Sequence, residues 1–478
     1  MIIRKRSLAR SRVLAVAPGD PDSKAATPGR VRGLKIAGAA LVLAVTLACT
    51  LVSWQRQQEN FNPGGLSVLS ADQIAVVVQA RMLIQSSDRI ALDRQRGPLL
   101  AGLMAMSGSD SDMHLFDIGI RINQVLCVLG VLVLAVVTAR RAGWLSGLVV
   151  AVILLSGVTA YFGAWLRADL LASILLTGVL LLCWRVLERP HLALAALLGL
   201  LMGVTYLAKP VILPILACYI LALGASVARA RFWPPSEGGR GDSYLACGAI
   251  TVVCLAAVIA PYMSNSARQY GSPTYNVNTT YYLWYDTFEE SQAVGTGAHY
   301  DRVGAADMPE DELPSLGRYL STHSVSDIWN RLVEGGLAPV RLTAPEAQPD
   351  LRYLTFPILA LALGAASVVV FRRRLFSRLV SSDPVPYAFM ATSILLLMGA
   401  TAWWLPFSSG MRFLLPWLLP VVVLSVMTLA RGLQDLEIDI GPRRAPAASV
   451  SLSALVFLAL ANGAWIAISV STFISGGA

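Results

Sequence analysis

Residues 192–228 read LALAALLGLLMGVTYLAKPVILPILACYILALGASVA, with Lys209 as the one charged side chain. An apolar run of about 20 residues spans the roughly 30 Å hydrocarbon core of a bilayer as a helix. Two such runs, about 191–208 and 211–228, meet at Lys209-Pro210, so the stretch reads as a membrane hairpin with a tight turn at the surface. Pro210 suits the first position of the second helix, where its missing N–H is not needed. The same pattern recurs along the chain. Counted with the hairpin, the runs lie at about 36–54, 118–138, 145–164, 168–187, 191–208, 211–228, 244–263, 353–371, 386–403, 413–430 and 449–470. The fold class is therefore an all-α polytopic membrane protein with about 11 transmembrane helices. Composition agrees: 55% of the 478 residues are hydrophobic and 14% charged, against roughly 25% charged in soluble domains. Soluble enzymes, disordered scaffolds and nucleic-acid modules are excluded.

The net charge of +9 is unevenly spread. Residues 1–35 hold Arg4, Lys5, Arg6, Arg10, Arg12, Lys24, Arg30, Arg32 and Lys35 against Asp20 and Asp22, so most of the excess sits in one arm. Basic residues mark cytoplasmic connections. Every second connection carries them: Arg140-Arg141, Arg185 with Arg189, Arg229 with Arg231 and Arg240, Arg372-Arg373-Arg374, and Arg431 with Arg443-Arg444. The alternate segment 264–350 holds twelve acids and five arginines. Eleven helices with the amino terminus cytoplasmic satisfy all of this together. The first run lacks a small-residue cleavage site and reads as an uncleaved span. The organisation is a basic cytoplasmic tail (1–35), a membrane module (36–430) with two outer loops (about 55–117 and 264–350), and a cytoplasmic connection with the last span (431–478). The basic arm and compact loops point to a bacterial inner membrane.

Both outer loops are too short for independent cores and lean on the membrane. Ser70-Ala71-Asp72-Gln73 has capping-box spacing and opens a helix with Ile74, Val77, Val78 and Met82 on one face. The nine apolar residues from Pro98 to Met106 are too few to cross; both stretches read as interfacial helices. The second loop carries Tyr281, Tyr282, Trp284 and Tyr285, then an amphipathic helix around 326–334 stopped by Gly335-Gly336. Residues 1–33 and 432–448 read as polar tails. The six cysteines lie in apolar runs and read as packing residues. His114, His191, His299 and His323 lack ligand spacing.

Charge at membrane depth is costly and marks function. On the outer side the helix ends offer Arg167, Asp169, Lys209 and Arg412, and the long loops add Asp72 and Arg268. Bases at an interface grip phosphate oxygens while apolar helix faces shelter a lipid tail, and a nearby carboxylate can take a proton from an attacking hydroxyl. Each residue also has a plainer reading. Asp72 complements a helix dipole, Arg167 and Asp169 pair with each other, Lys209 snorkels, and the tyrosines form an interfacial belt.

At these residues the sequence resembles the polytopic GT-C glycosyltransferases that use polyprenyl-phosphate sugars, of the protein mannosyltransferase and lipid A aminoarabinose transferase type. The resemblance lies in Ser70-Ala71-Asp72-Gln73, Ala80-Arg81-Met82-Leu83 and Gly97-Pro98-Leu99-Leu100. It continues through Gly199–Gly203 and Tyr206-Leu207-Ala208-Lys209-Pro210, Pro261-Tyr262 with Asn265, Arg268 and Gly271, and Gly410-Met411-Arg412-Phe413-Leu414-Leu415-Pro416. It implies a GT-C-like bundle with its site on the periplasmic face. It implies Asp72 as general base or acceptor-organising acid, Asp169 as the second outer acid, and Lys209 and Arg412 as donor-phosphate ligands, with Arg268 and Arg167 as further candidates. Tyr282, Trp284 and Tyr285 would contact sugar or acceptor. The implied partners are a polyprenyl-phosphate sugar donor and a lipid, glycan or protein acceptor, without nucleic acid. A divalent cation (Mg or Mn) between Asp72 and Asp169 stays open. Gln73 stands where many relatives have Glu, and Ala208 where they have Thr. The competing readings are a flippase or transporter, and a polysaccharide ligase or polymerase.

Overall fold

The structure, a computed structural model, describes residues 3–5, 28–61, 71–85, 93, 95–163, 165–232, 240–293, 313–341, 362–369, 383–407, 410–434, 436–440 and 443–475. The apolar runs become helices: α1 (Pro28–Phe61), α4 (Asp112–Ala142), α5 (Trp144–Ile153), α6 (Asp169–Glu188), α7 (Leu192–Ala208), α8 (Leu213–Phe232), α9 (Arg240–Tyr270), α12 (Val385–Trp404), α13 (Leu415–Leu433) and α14 (Ala447–Ser475). In the first outer loop lie α2 (Ala71–Gln85) and α3 (Leu99–Ala105); in the second, α10 (Leu316–Thr322) and α11 (Val325–Arg341). Among the described residues seven helices are long and apolar enough to cross a membrane and three more are shorter apolar helices. Most of the span expected at 353–371, and Ser70 of the expected capping box, lie outside the described residues.

Local chemistry sets the element ends. Ser111 caps α4 by accepting the His114 N–H (3.4 Å), and Gly143, at φ +94°, reverses the chain into α5, a conformation that costs glycine little. Lys209 is extended and Pro210 opens a single 3₁₀ turn before α8, as the hairpin reading requires. After α5 the backbone widens into a π-helix at Leu154–Thr159. The side chains of α1 satisfy its carbonyls: Thr50 donates to Leu155 O (3.4 Å) and Trp54 Nε1 to Thr159 O (2.9 Å).

With lipid outside, helices associate through close packing of small residues. On α7, Gly199 faces the Thr251 carbonyl of α9, 2.3 Å from where a Cβ would sit, and Gly203 faces Val258 at 2.5 Å. Thr251 Oγ1 also donates to Ala195 O (3.1 Å). The large core runs through α4–α9, α12, α13 and α14, and a smaller one joins α2, α3 and α4 through Val77, Ala80, Leu100, Met104 and Leu115. Of the spans, α6 and α13 are the most enclosed and α1 is among the least. Arg141, Arg185, Glu188 and Arg431 gather at the ends of α4, α6 and α13, opposite to the ends that carry Asp112 and Asp169.

Three expectations are corrected. The buried face of α2 is formed by Gln73, Val76, Val77 and Ala80, because this is the side on which α3 and α4 pack, while Met82 is exposed. Gly335-Gly336 does not stop its helix: α11 runs on to Arg341, and Gly335 is instead a contact point, where a Cβ would overlap the Ala402 carbonyl of α12. The tails are not featureless. β1 (Ile3–Lys5) pairs antiparallel with β2 (Leu436–Ile440), which pairs with β3 (Arg443–Pro446), setting Arg4 opposite Glu437 and Asp439 opposite Arg444.

Candidate active site

Asp72 occupies the second position of α2, and its carboxylate is the hub of the site. Arg412 Nη1 donates to Oδ2 at 2.6 Å, Arg96 Nη2 to Oδ1 at 2.7 Å, and Arg167 Nη2 lies 3.5 Å from Oδ2. The four residues come from α2, the loop before α3, the turn before α6 and the 3₁₀ turn before α13. Beside them Lys209 Nζ donates to Asp169 Oδ1 at 2.5 Å. Arg412 links the two groups: it lies within electrostatic reach of both carboxylates. Phe413 floors them, with Lys209 Nζ 5.3 Å and Arg412 Cζ 4.8 Å from its ring centroid, a cation–π arrangement. Four cations thus face Asp72 and Asp169 at one end of the bundle. Asp93 adds a third carboxylate behind Arg96 (3.3 Å).

Each charge is set by its element. Asp169 opens α6 and Asp72 opens α2, where helix N-termini favour anions. Arg96 is held by its neighbours: Asp93 Oδ1 accepts the N–H groups of Gln95 (2.7 Å) and Arg96 (2.8 Å), and the Gln95 carbonyl accepts from Asn276 (3.2 Å) and Asn278 (3.1 Å) of the second outer loop. Gly97 then passes so close to α7 that a Cβ would sit 2.1 Å from the Leu207 carbonyl and 2.7 Å from that of Ala208. This contact brings Arg96 to the helix end that carries Lys209.

Burial pushes the Asp72 carboxyl up, but the guanidinium groups of Arg412 and Arg96 outweigh it and hold it well below the usual carboxylate range. In this arrangement Asp72 is a poor base. A divalent cation does not fit the arrangement as it stands. Asp72 and Asp169 are both occupied by cationic side chains, and among the described residues no group of three His, Cys, Asp or Glu could hold a metal.

The remaining sequence candidates lie apart from this hub. Arg268 is exposed on the last turn of α9 and forms no ion pair among the described residues. Tyr282 packs on Phe407 (4.9 Å between centroids), Tyr285 is buried beside it, and Trp284 faces Tyr319 and Trp403. They border a second charged cluster that the sequence did not single out. There Arg331, 4% exposed, donates to Asp286 Oδ1 (2.8 Å), the Tyr285 carbonyl (2.7 Å) and the Trp403 carbonyl (3.1 Å). Asp286 also accepts from Tyr319 (2.8 Å) and lies 3.0 Å from His323 Nε2. This cluster clasps the second outer loop to α12.

Arg96 was also missed. Among Asp93, Arg94 and Arg96 it looks like solvated loop charge, and its signal was its place immediately before Gly97-Pro98.

No protein family matches the sequence, and no curated protein does. Solved structures do match. The chain is similar to the archaeal oligosaccharyltransferase AglB from Archaeoglobus fulgidus in complex with an inhibitory peptide and a dolichol-phosphate. That match has 15% identity and a TM-score of 0.51 over 90% of this chain and 55% of that one. The same oligosaccharyltransferase tethered to an acceptor peptide matches with 15% identity and a TM-score of 0.50, over 90% and 54%. ArnT from Cupriavidus metallidurans bound to undecaprenyl phosphate matches with 12% identity and a TM-score of 0.48, over 91% and 70%. The chain spans about half the length of the oligosaccharyltransferase. The fold is the polytopic helical fold of the GT-C glycosyltransferases, as the resemblance implied.

Proposed function

We propose that this chain is a membrane glycosyltransferase that moves a sugar from a polyprenyl-phosphate donor to an acceptor hydroxyl on the extracytoplasmic face. The observation that carries the reading is the convergence of Arg96, Arg167, Lys209 and Arg412 on Asp72 and Asp169, at the rim of a bundle whose walls are apolar. The fold supports it: a protein of the same fold was solved with dolichol-phosphate. Planar guanidinium groups match phosphate oxygens in pairs, and the surrounding spans offer a lipid-facing wall for an isoprenoid tail.

The reaction is a single displacement with inversion at the anomeric carbon. Asp72 takes the proton of the acceptor hydroxyl, the oxygen forms the new glycosidic bond, and the bond to the donor phosphate oxygen breaks. Polyprenyl phosphate leaves with its added charge held by Arg412, Lys209 and Arg96. The depressed basicity of Asp72 becomes part of the sequence of events. Without donor, Asp72 is the anion that the arginines hold. A donor phosphate competes for the same guanidinium groups, and as they turn to it the Asp72 carboxylate regains ordinary basicity. The base is armed when the substrate is in place.

Purified protein incubated with labelled polyprenyl-phosphate sugar is expected to transfer the sugar to an acceptor or to hydrolyse the donor slowly. Asp72→Asn is expected to abolish turnover and to keep donor binding. Full turnover in Asp72→Asn overturns the role given to that carboxylate.

A further inference from the structure

A charge site assembled from four chain segments is only as good as the backbone that aims its side chains. Two of its charges lie side by side here: Arg167 in the stretch 165–168 that leads into α6, and Asp169 as the first residue of α6. In that stretch the chain leaves the helical ladder; the Trp165 carbonyl accepts the Arg167 N–H (2.8 Å), and its other lone pair, like the Arg167 carbonyl, can take partners from another element. Asn123 supplies them. It lies within the apolar span α4, with no exposed surface. Its Nδ2 donates to the carbonyl of Trp165 (3.0 Å) and to that of Arg167 (3.3 Å). Both partners are acceptors, so the amide has one orientation that satisfies them. Its Oδ1 accepts from Cys127 Sγ at 3.8 Å. A buried amide inside a span is costly unless its bonds are made, and here both donors and the acceptor are used.

The rest of the α4 face is cut to the same turn. Gly119, one helical turn before Asn123, leaves room for Leu166, whose Cδ1 would lie 2.8 Å from a Cβ there. Leu166 is fully buried. Arg167 stacks 4.9 Å over the Trp165 ring and reaches Asp72, and Asp169 receives Lys209 two residues on.

We infer that Asn123 is a positioning residue for the proposed donor-phosphate site, aiming Arg167 and Asp169 through the carbonyls of Trp165 and Arg167. The inference rests on the functional reading above. Asn123 touches neither of the two aimed charged groups, and its effect passes through the backbone. Of the alternatives at this position, Leu has no donor, Ser one, and Gln carries the amide one methylene further out.

The test pairs a readout of the turn with a readout of the site. Hydrogen exchange of the peptide covering 163–170 in the detergent-solubilised full chain is expected to quicken about tenfold or more in Asn123→Leu, with peptides of α9 unchanged. If Asn123→Leu is not monodisperse, Asn123→Ser, which removes one donor, answers the same question. Binding of polyprenyl phosphate is expected to weaken about tenfold in Asn123→Leu, the size of one weakened contact to a charged group, and Asn123→Gln is expected to recover part of it. Asn123→Leu and Arg167→Ala combined are expected to weaken binding by clearly less than the sum of the two single losses, because the first acts in part through the second. Unchanged exchange at 163–170, or fully additive losses in the double variant, overturns the inference. Absence of polyprenyl-phosphate binding by the unaltered protein overturns the functional reading instead and leaves the exchange result to decide the role in the turn.

Discussion

Asp72 is the residue at which the chemistry and the stability of this site meet. Its carboxyl is held below its ordinary range in the folded chain, so the ionised form stabilises the fold relative to the unfolded chain, where a carboxyl titrates near 3.9. That contribution is fully present above about pH 4 and is lost as pH falls further, towards the folded-state value. The melting temperature of the unaltered protein is therefore expected to exceed that of Asp72→Asn above that pH, with the gap narrowing on acidification; a gap constant from pH 3 to 7 contradicts the arginine pairing. Lys209→Ala and Arg412→Ala each remove a charge-assisted contact of about 1.5–3 kcal/mol, an expected loss of roughly 10- to 150-fold in donor affinity. Equilibrium binding of polyprenyl phosphate measures it. At this scale the sequence was partly legible. Arg412 stood out as an ionised group at a span's end and Asp72 as an acid opening an outer-loop helix, although 340 residues separate them. Arg96 lay hidden among other loop charges, and Asn123 did not stand out at all, because its meaning depends on a turn that packs against it from a different part of the chain.

Helices here are positioned by glycines whose role depends on the neighbour. Gly335 read as a helix stop, since Gly-Gly commonly ends helices, yet it sits mid-helix against the Ala402 carbonyl of α12. A sequence does not distinguish a glycine that frees the backbone from one that lets another backbone approach. Gly335→Ala forces α11 off α12, an overpacking cost of about 1–3 kcal/mol, seen as a lowered melting temperature. Gly97→Ala meets the Leu207 and Ala208 carbonyls instead and is expected to shift Arg96 relative to Lys209. Donor binding is expected to fall at least tenfold with a smaller loss of thermal stability, and unchanged binding contradicts the coupling. The hairpin turn at Lys209-Pro210 was legible in full, because proline and a single charge between two apolar runs leave few options. The three short strands were not, since their pairing joins residues 3–5 to residues 436–446 across the whole chain.

Across the molecule the charges divide by end. The acids and bases of the site lie at one end, and Arg141, Arg185 and Arg431 at the other. From the distribution of bases in the sequence we propose that the second end faces the cytoplasm. Cysteine introduced at Ser109, before α4, is expected to react with a membrane-impermeant maleimide in intact cells, and cysteine at Gly143, after α4, only once the membrane is opened. The reverse pattern inverts the proposed topology. The helical class was readable from hydropathy because a bilayer imposes one length on every crossing. The convergence of the charges was not, because it is a property of how the helices pack.

The most direct test is a density map of the protein with polyprenyl phosphate bound. The phosphate is expected within hydrogen-bonding distance of Arg412 and Lys209, with Arg96 turned from Asp72 towards it. A map that puts the phosphate elsewhere on the bundle, with Asp72 still gripped by both arginines, contradicts the account.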